Sequence, residues 1–78
     1  MQLITKQNCH LCDDARLVVA NVCSEFNEEF EELDVVDHPN LAAIHFEFLP
    51  VLLVDGVQVA IWRVEPQTLK TALNQPHL

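Results

Sequence analysis

Cys9 and Cys12 stand three positions apart, with His10 and Leu11 between them. Two thiols at this spacing can pass between dithiol and disulfide, or they can supply half of a four-ligand metal site. The local structure that carries them separates the two chemistries. Gln2-Leu3-Ile4-Thr5-Lys6 is β-prone and forms a strand, and Gln7-Asn8 turns the chain, Asn being tolerant of a left-handed backbone. From Cys9 to about Phe26 the period becomes helical, with Leu11, Ala15, Val18, Val19, Val22 and Phe26 on one apolar face. Cys9 therefore begins a helix. There the unpaired backbone N–H groups and the positive end of the helix dipole stabilise a thiolate. Lys6 adds to this field, as does His10 when protonated, while Asp13 and Asp14 oppose it. Cys9 is then the nucleophile. Cys12, one helical turn on, is placed to attack a mixed disulfide formed at Cys9.

The metal alternative needs more ligands. Cys23 is the third and last cysteine, about 16 Å further along the same helix axis than Cys12, so no shared ion and no disulfide joins them. It is expected to be a small core hydrophobe. His38, His45 and His77 show no paired ligand spacing, and His10 precedes Cys12 where a haem attachment needs a histidine after it. No metal ligand is assigned within the chain. A metal ion or an iron–sulfur cluster shared between two chains stays open.

The rest of the chain supplies the scaffold. Phe30 to Val36 is a second strand-like run, weakened by its acids, and Asp37-His38-Pro39 starts a helix with Asp37 as cap. Leu41 to Phe46 continues that helix. Leu49 to Val54 is an apolar strand with Pro50 near its start, where proline is tolerated. Asp55-Gly56 is a strong hairpin signal, and Val57 to Trp62 is the partner strand. Glu65-Pro66 opens a last helix with Leu69, Ala72 and Leu73 inward. The order β-α-β-α-β-β-α predicts an α/β fold, with a four-stranded mixed sheet flanked by three helices. Residues 1–78 are expected to form one domain.

Net charge is −8, from 4 Lys and Arg against 12 Asp and Glu, which disfavours nucleic acid as a partner. No stretch approaches the roughly 18 apolar residues of a membrane span, and no basic n-region with an apolar core opens the chain. A cytoplasmic monomer without membrane contact is the expectation. Glu25, Glu28, Glu29, Glu31, Glu32 and Asp34 crowd together with Asp37 just beyond, as a solvated face or a patch for a basic partner.

Two stretches, Leu3-Ile4-Thr5-Lys6-Gln7-Asn8-Cys9-His10-Leu11-Cys12-Asp13-Asp14-Ala15 and Leu49-Pro50-Val51-Leu52-Leu53-Val54-Asp55-Gly56, resemble the glutaredoxin-like branch of the thioredoxin superfamily. The element order matches from about Leu3 to Leu73. The resemblance implies a thioredoxin-like fold in which Pro50 is cis and faces Cys9, with the Leu49 backbone pairing to a bound thiol peptide like one more strand. It also implies that Lys6 helps hold a glutathione carboxylate. The chain departs from the glutaredoxin pattern at two places. Phe48 stands where glutaredoxins carry Thr, and Trp62-Arg63-Val64-Glu65 replaces a Gly-Gly turn and its following Asp. Asn8 also stands where thioredoxins carry Trp. Arg63 could still take a carboxylate, in a different way. Trp62 is expected to be a half-buried packing residue.

The function so implied is a thiol–disulfide oxidoreductase. Cys9 and Cys12 are catalytic, and Lys6, His10, Leu11, Leu49, Pro50 and Arg63 contact substrate. The substrate is a protein or glutathione-type disulfide, no cofactor is bound, and an external reductant, with glutathione a candidate, regenerates the pair. Two alternatives remain: a non-catalytic thioredoxin-fold binding or redox-sensing module, and a dimeric iron–sulfur or metal carrier.

Overall fold

The computed structural model describes residues 1–74. Its elements are β1 (Gln2–Thr5), α1 (His10–Phe26), β2 (Glu31–Asp34), α2 (Pro39–His45), a single 3₁₀ turn (Phe46–Phe48), β3 (Val51–Val54), β4 (Val57–Ile61) and α3 (Pro66–Asn74). His77 lies outside the described residues. The four strands form one sheet in the order β2-β1-β3-β4. β1 runs parallel to β2 and antiparallel to β3, and β3 runs antiparallel to β4. This is a mixed sheet, because the β1–α1–β2 crossover gives a parallel pair and the tight turn after β3 gives an antiparallel one.

Alternation along the central strands divides the interior in two. Leu3, Leu52 and Val54 join Ala15, Val19, Val22 and Cys23 of α1 and Leu69 of α3. Ile4 and Val51 turn the other way and pack with Cys9, Cys12, Val35 and Leu49, with Leu41 and Ala42 of α2 against them. The sheet is thus covered on both faces, as its two-sided apolar centre requires. Val64 closes the first layer from the turn between β4 and α3.

The turns follow their residue types. Asp55 and Gly56 both have positive φ, 52° and 78°, as a two-residue hairpin with the right twist demands. Asn8 and Asn27 are left-handed at φ 56° and 54° on either side of α1. Asn27 caps the helix C-terminus, its N–H bonded to the Cys23 carbonyl.

Several sequence expectations shift. The cap of α2 is His38, not Asp37, and it makes no side-chain capping bond. Asp37 is instead held in a turn, its N–H donating to the Asp34 carbonyl, while Asp34 Oδ1 accepts the Val36 N–H at 2.9 Å. Asp34, nearer the strand end, wins this local competition. All four strands are shorter than their apolar runs, β2 most of all. Leu11 is 38% exposed because the buried face of α1 centres on Cys12, Ala15, Val19, Val22 and Cys23. Trp62 is 51% exposed, and φ 63° takes it out of β4.

Candidate active site

Cys9 is the N-cap of α1, in extended conformation at φ −125° and ψ 107°. Its Sγ accepts the backbone N–H of Cys12 at 3.1 Å, in the place a Ser or Asp oxygen usually fills. The Cys9 carbonyl meanwhile accepts the Asp13 N–H at 3.1 Å, the first turn of the helix. A sulfur receiving an N–H at a helix N-terminus has a donor ready for negative charge. Cys9 retains only 9% exposure, and Cys12 has none.

Cys12 is held differently. Its thiol is pushed up to about 12, first by desolvation and then by the hydrogen bond with Cys9. A backbone hydrogen bond from Lys6 and the charge of Arg16 pull the other way without winning. At neutral pH Cys12 is a thiol, with the groups that would favour its thiolate already in place. All three cysteines are free thiols.

The Cys9 side of the sheet brings together most of the residues expected at the site. Leu49 is buried in one cluster with Cys9 and Cys12, and Pro50 beside it is fully buried. The Leu49–Pro50 peptide bond is cis. His10 and Leu11 are exposed on the first turn of α1. Lys6 sits with Nζ 5.1 Å from the centroid of the Phe46 ring. Arg63 is exposed in the turn after β4, its backbone N–H bonded to the Ile61 carbonyl at 2.7 Å.

Aromatic residues not expected at the site form its rim. Of the chain's four Phe and one Trp, Phe46, Phe48 and Trp62 gather here. The Phe48 and Trp62 rings lie 6.2 Å apart, tilted by 36°. Trp62 is tied to the segment before Pro50: its indole Nε1–H donates to the Glu47 carbonyl at 3.1 Å. Its backbone N–H donates to the carbonyls of Pro50 at 2.9 Å and Phe48 at 3.3 Å. The signal present in the sequence is the aromatic spacing Phe46-x-Phe48 directly before Leu49-Pro50.

Residues 1–74 match the family model described as Glutaredoxin-like domain (DUF836). The chain belongs to the glutaredoxin-like domain family. Thioredoxin 1 from the thermophilic eubacterium Thermosipho africanus TCF52B is similar in structure, with a TM-score of 0.61 at 16% identity over 92% of this chain and 91% of that one. At that identity the likeness establishes the thioredoxin-like fold. The chain matches no curated protein. Among the described residues of this glutaredoxin-like domain, no group of three or more His, Cys, Asp or Glu could hold a metal ion. Among them also, no helix is long and apolar enough to cross a membrane.

Proposed function

We propose that this glutaredoxin-like domain is a thiol–disulfide oxidoreductase in which Cys9 attacks and Cys12 resolves. The observation that carries the reading is the Cys12 N–H donated to Cys9 Sγ at the start of α1, with Cys12 itself wholly buried. Cys9 as thiolate attacks one sulfur of a substrate disulfide, forming a mixed disulfide and expelling the other half as thiolate, which takes a proton from solvent. Cys12 then loses its proton and attacks Cys9 Sγ. The Cys9–Cys12 disulfide forms, and the bound half leaves as a thiol. Two electrons have passed to the substrate, and two external thiols return them. The raised Cys12 thiol sets the order of events, since Cys12 is protonated when substrate arrives. Leu49 is assigned the strand-like backbone contact to the substrate segment. Glutathione and a protein dithiol both remain candidates for the reductant.

The test is a redox titration of the pair coupled to a disulfide-reductase assay, with Cys9→Ser as control. A potential within about −180 to −270 mV and turnover lost in Cys9→Ser support the reading. A potential below about −300 mV without turnover marks a structural disulfide and defeats it.

A further inference from the structure

Arg16 lies one helical turn beyond Cys12, so the two are neighbours on one side of α1. Hydrogen bonds to two carboxylates fix its guanidinium. Nε and Nη2 donate to the two oxygens of Glu32 at 2.6 and 2.8 Å, and Nη1 donates to Asp13 Oδ1 at 2.9 Å. The fork on Glu32 ties α1 to β2, and Thr5 Oγ1 carries the tie to β1 by donating to Glu32 Oε2 at 3.1 Å. Lys6, the residue after Thr5, gives Cys12 its backbone hydrogen bond. The network therefore reaches Cys12 twice, from its own helix and from the end of β1.

The resolving step needs a negative charge where little is present to receive it. Cys12 must become a thiolate before it attacks Cys9 Sγ, yet it is wholly buried with Ile4, Val35, Leu49 and Val51. Leu41 and Ala42 of α2, packed on the same cluster, are apolar too. Among the described residues Thr5 is the only buried polar or charged one, so no buried carboxylate or histidine stands ready to take the proton. The charges acting on Cys12 are Cys9, which opposes its thiolate, and Arg16, which favours it. Glu32 and Asp13 sit against Arg16 as its counter-charges. Once Cys9 is in a mixed disulfide it carries no charge, and the opposition ends just when Cys12 must ionise. A fixed cation one turn away then acts through a low-dielectric interior.

We propose that Arg16 is the positioning residue of the resolving step: clasped by Glu32 and Asp13, its guanidinium stabilises the Cys12 thiolate that attacks the mixed disulfide. This rests on the oxidoreductase reading above. The Cys12 proton leaves to solvent and Cys12 Sγ bonds to Cys9 Sγ. The substrate sulfur departs with the electron pair of the broken bond.

The probe is dithiobis(nitrobenzoate), whose two halves are coloured when released as thiolates, mixed in stoichiometric amount with the reduced protein. The first release reports attack by Cys9, and the second reports displacement by Cys12. Cys12→Ser, which must lack the second phase, assigns it. Arg16→Gln should slow the second phase about fivefold and move its pH midpoint up by about 0.7 unit, with the first phase within about twofold of wild type. Arg16→Lys keeps the charge without the fork and should retain most of the rate. Glu32→Gln removes a counter-charge while leaving an oxygen for Arg16 Nε, so its second phase should be at least as fast as in the wild type. A clasp that is merely structural slows all three variants alike and leaves the midpoint unmoved. An unmoved midpoint in Arg16→Gln, equal slowing by Arg16→Lys, or any slowing by Glu32→Gln overturns the inference while leaving the oxidoreductase reading intact. Circular dichroism checks folding, and the sign of the Glu32→Gln effect decides the matter even if Arg16→Gln does not fold. A wild type that shows no second phase defeats both.

Discussion

Helix α1 carries cysteines at both ends, and they live in different chemistry. At the N-terminus, Cys9 Sγ takes the backbone N–H of Cys12. Near the C-terminus, Cys23 is also buried, at 3% exposure against 9% for Cys9, but its sulfur faces Met1 Sδ at 3.6 Å. Its thiol is raised, chiefly by burial and then by the charge of Glu28, with the N-terminal ammonium pulling the other way. Burial is common to both ends. What differs is the backbone: four N–H groups lack helical partners at one terminus, and four carbonyls at the other. A thiolate is stabilised by the first set and opposed by the second. One helix thereby makes a candidate nucleophile and a buried core thiol from the same side chain.

The largest expected effect breaks the comparison at its chemical end. Cys9→Ser should lower the disulfide-exchange rate on the order of 1000-fold or more. Serine is itself a favoured N-cap, so the helix start survives and the loss is chemical. Cys23→Ala should leave the exchange rate within about twofold while costing about 1 kcal/mol of stability through the small void it opens. Rates with a peptide disulfide, paired with urea denaturation of both variants, check this. A tenfold rate loss in Cys23→Ala would erase the contrast between the helix ends.

Next in size is the alkaline limb of stability in the reduced protein. Cys12 is pushed up to about 12 in the folded chain, against a free thiol near 8.5. The unfolded state therefore releases this proton first as pH rises. The Cys12 contribution is complete below about pH 8.5 and is lost progressively as pH rises toward 12, at up to about 1.4 kcal/mol per unit. Cys23 is raised too, so its proton acts with the same sign. Cys12→Ala should flatten the slope between about pH 9 and 11 more than Cys23→Ala does, as read from urea midpoints under reducing conditions. Equal flattening would mean that the two ends bury their thiols to the same effect.

Much of this contrast is legible in the sequence. Strand, Gln7-Asn8 turn and helix place Cys9 at a helix start by local pattern alone, and Asp55-Gly56 announces its hairpin in two residues. The fold class follows from element order. What escapes is non-local or marginal. The cap of α2 passes from Asp37 to His38 because Asp34 bonds its own following turn. Leu11 counts as core by periodicity, but in the first helical turn it lies beyond the buried face. The aromatic rim escapes for a different reason. Trp62 joins Phe48 and Pro50 through its backbone N–H and Glu47 through its indole N–H, beside the β3–β4 pairing, and only the folded chain brings these together.

The smallest expected effect is the most discriminating between the helix ends. Asn8 and Asn27 flank α1 with nearly the same left-handed φ, 56° and 54°. Asn is the non-glycine residue that tolerates this region best, so replacing either with Gly exchanges a little backbone strain for a little chain entropy. Each substitution should therefore change stability by no more than about 0.5 kcal/mol. Their effects on exchange should differ. Asn27 holds only the helix end, through its N–H on the Cys23 carbonyl. Asn8 directly precedes Cys9 and aims the residue whose sulfur must sit on the Cys12 N–H. Asn8→Gly loosens that aim and should slow exchange about threefold, while Asn27→Gly leaves it unchanged. Matched urea denaturation and exchange rates for the pair measure this. Equal slowing, or none at Asn8, would show that α1 fixes the position of Cys9 without help from the turn before it.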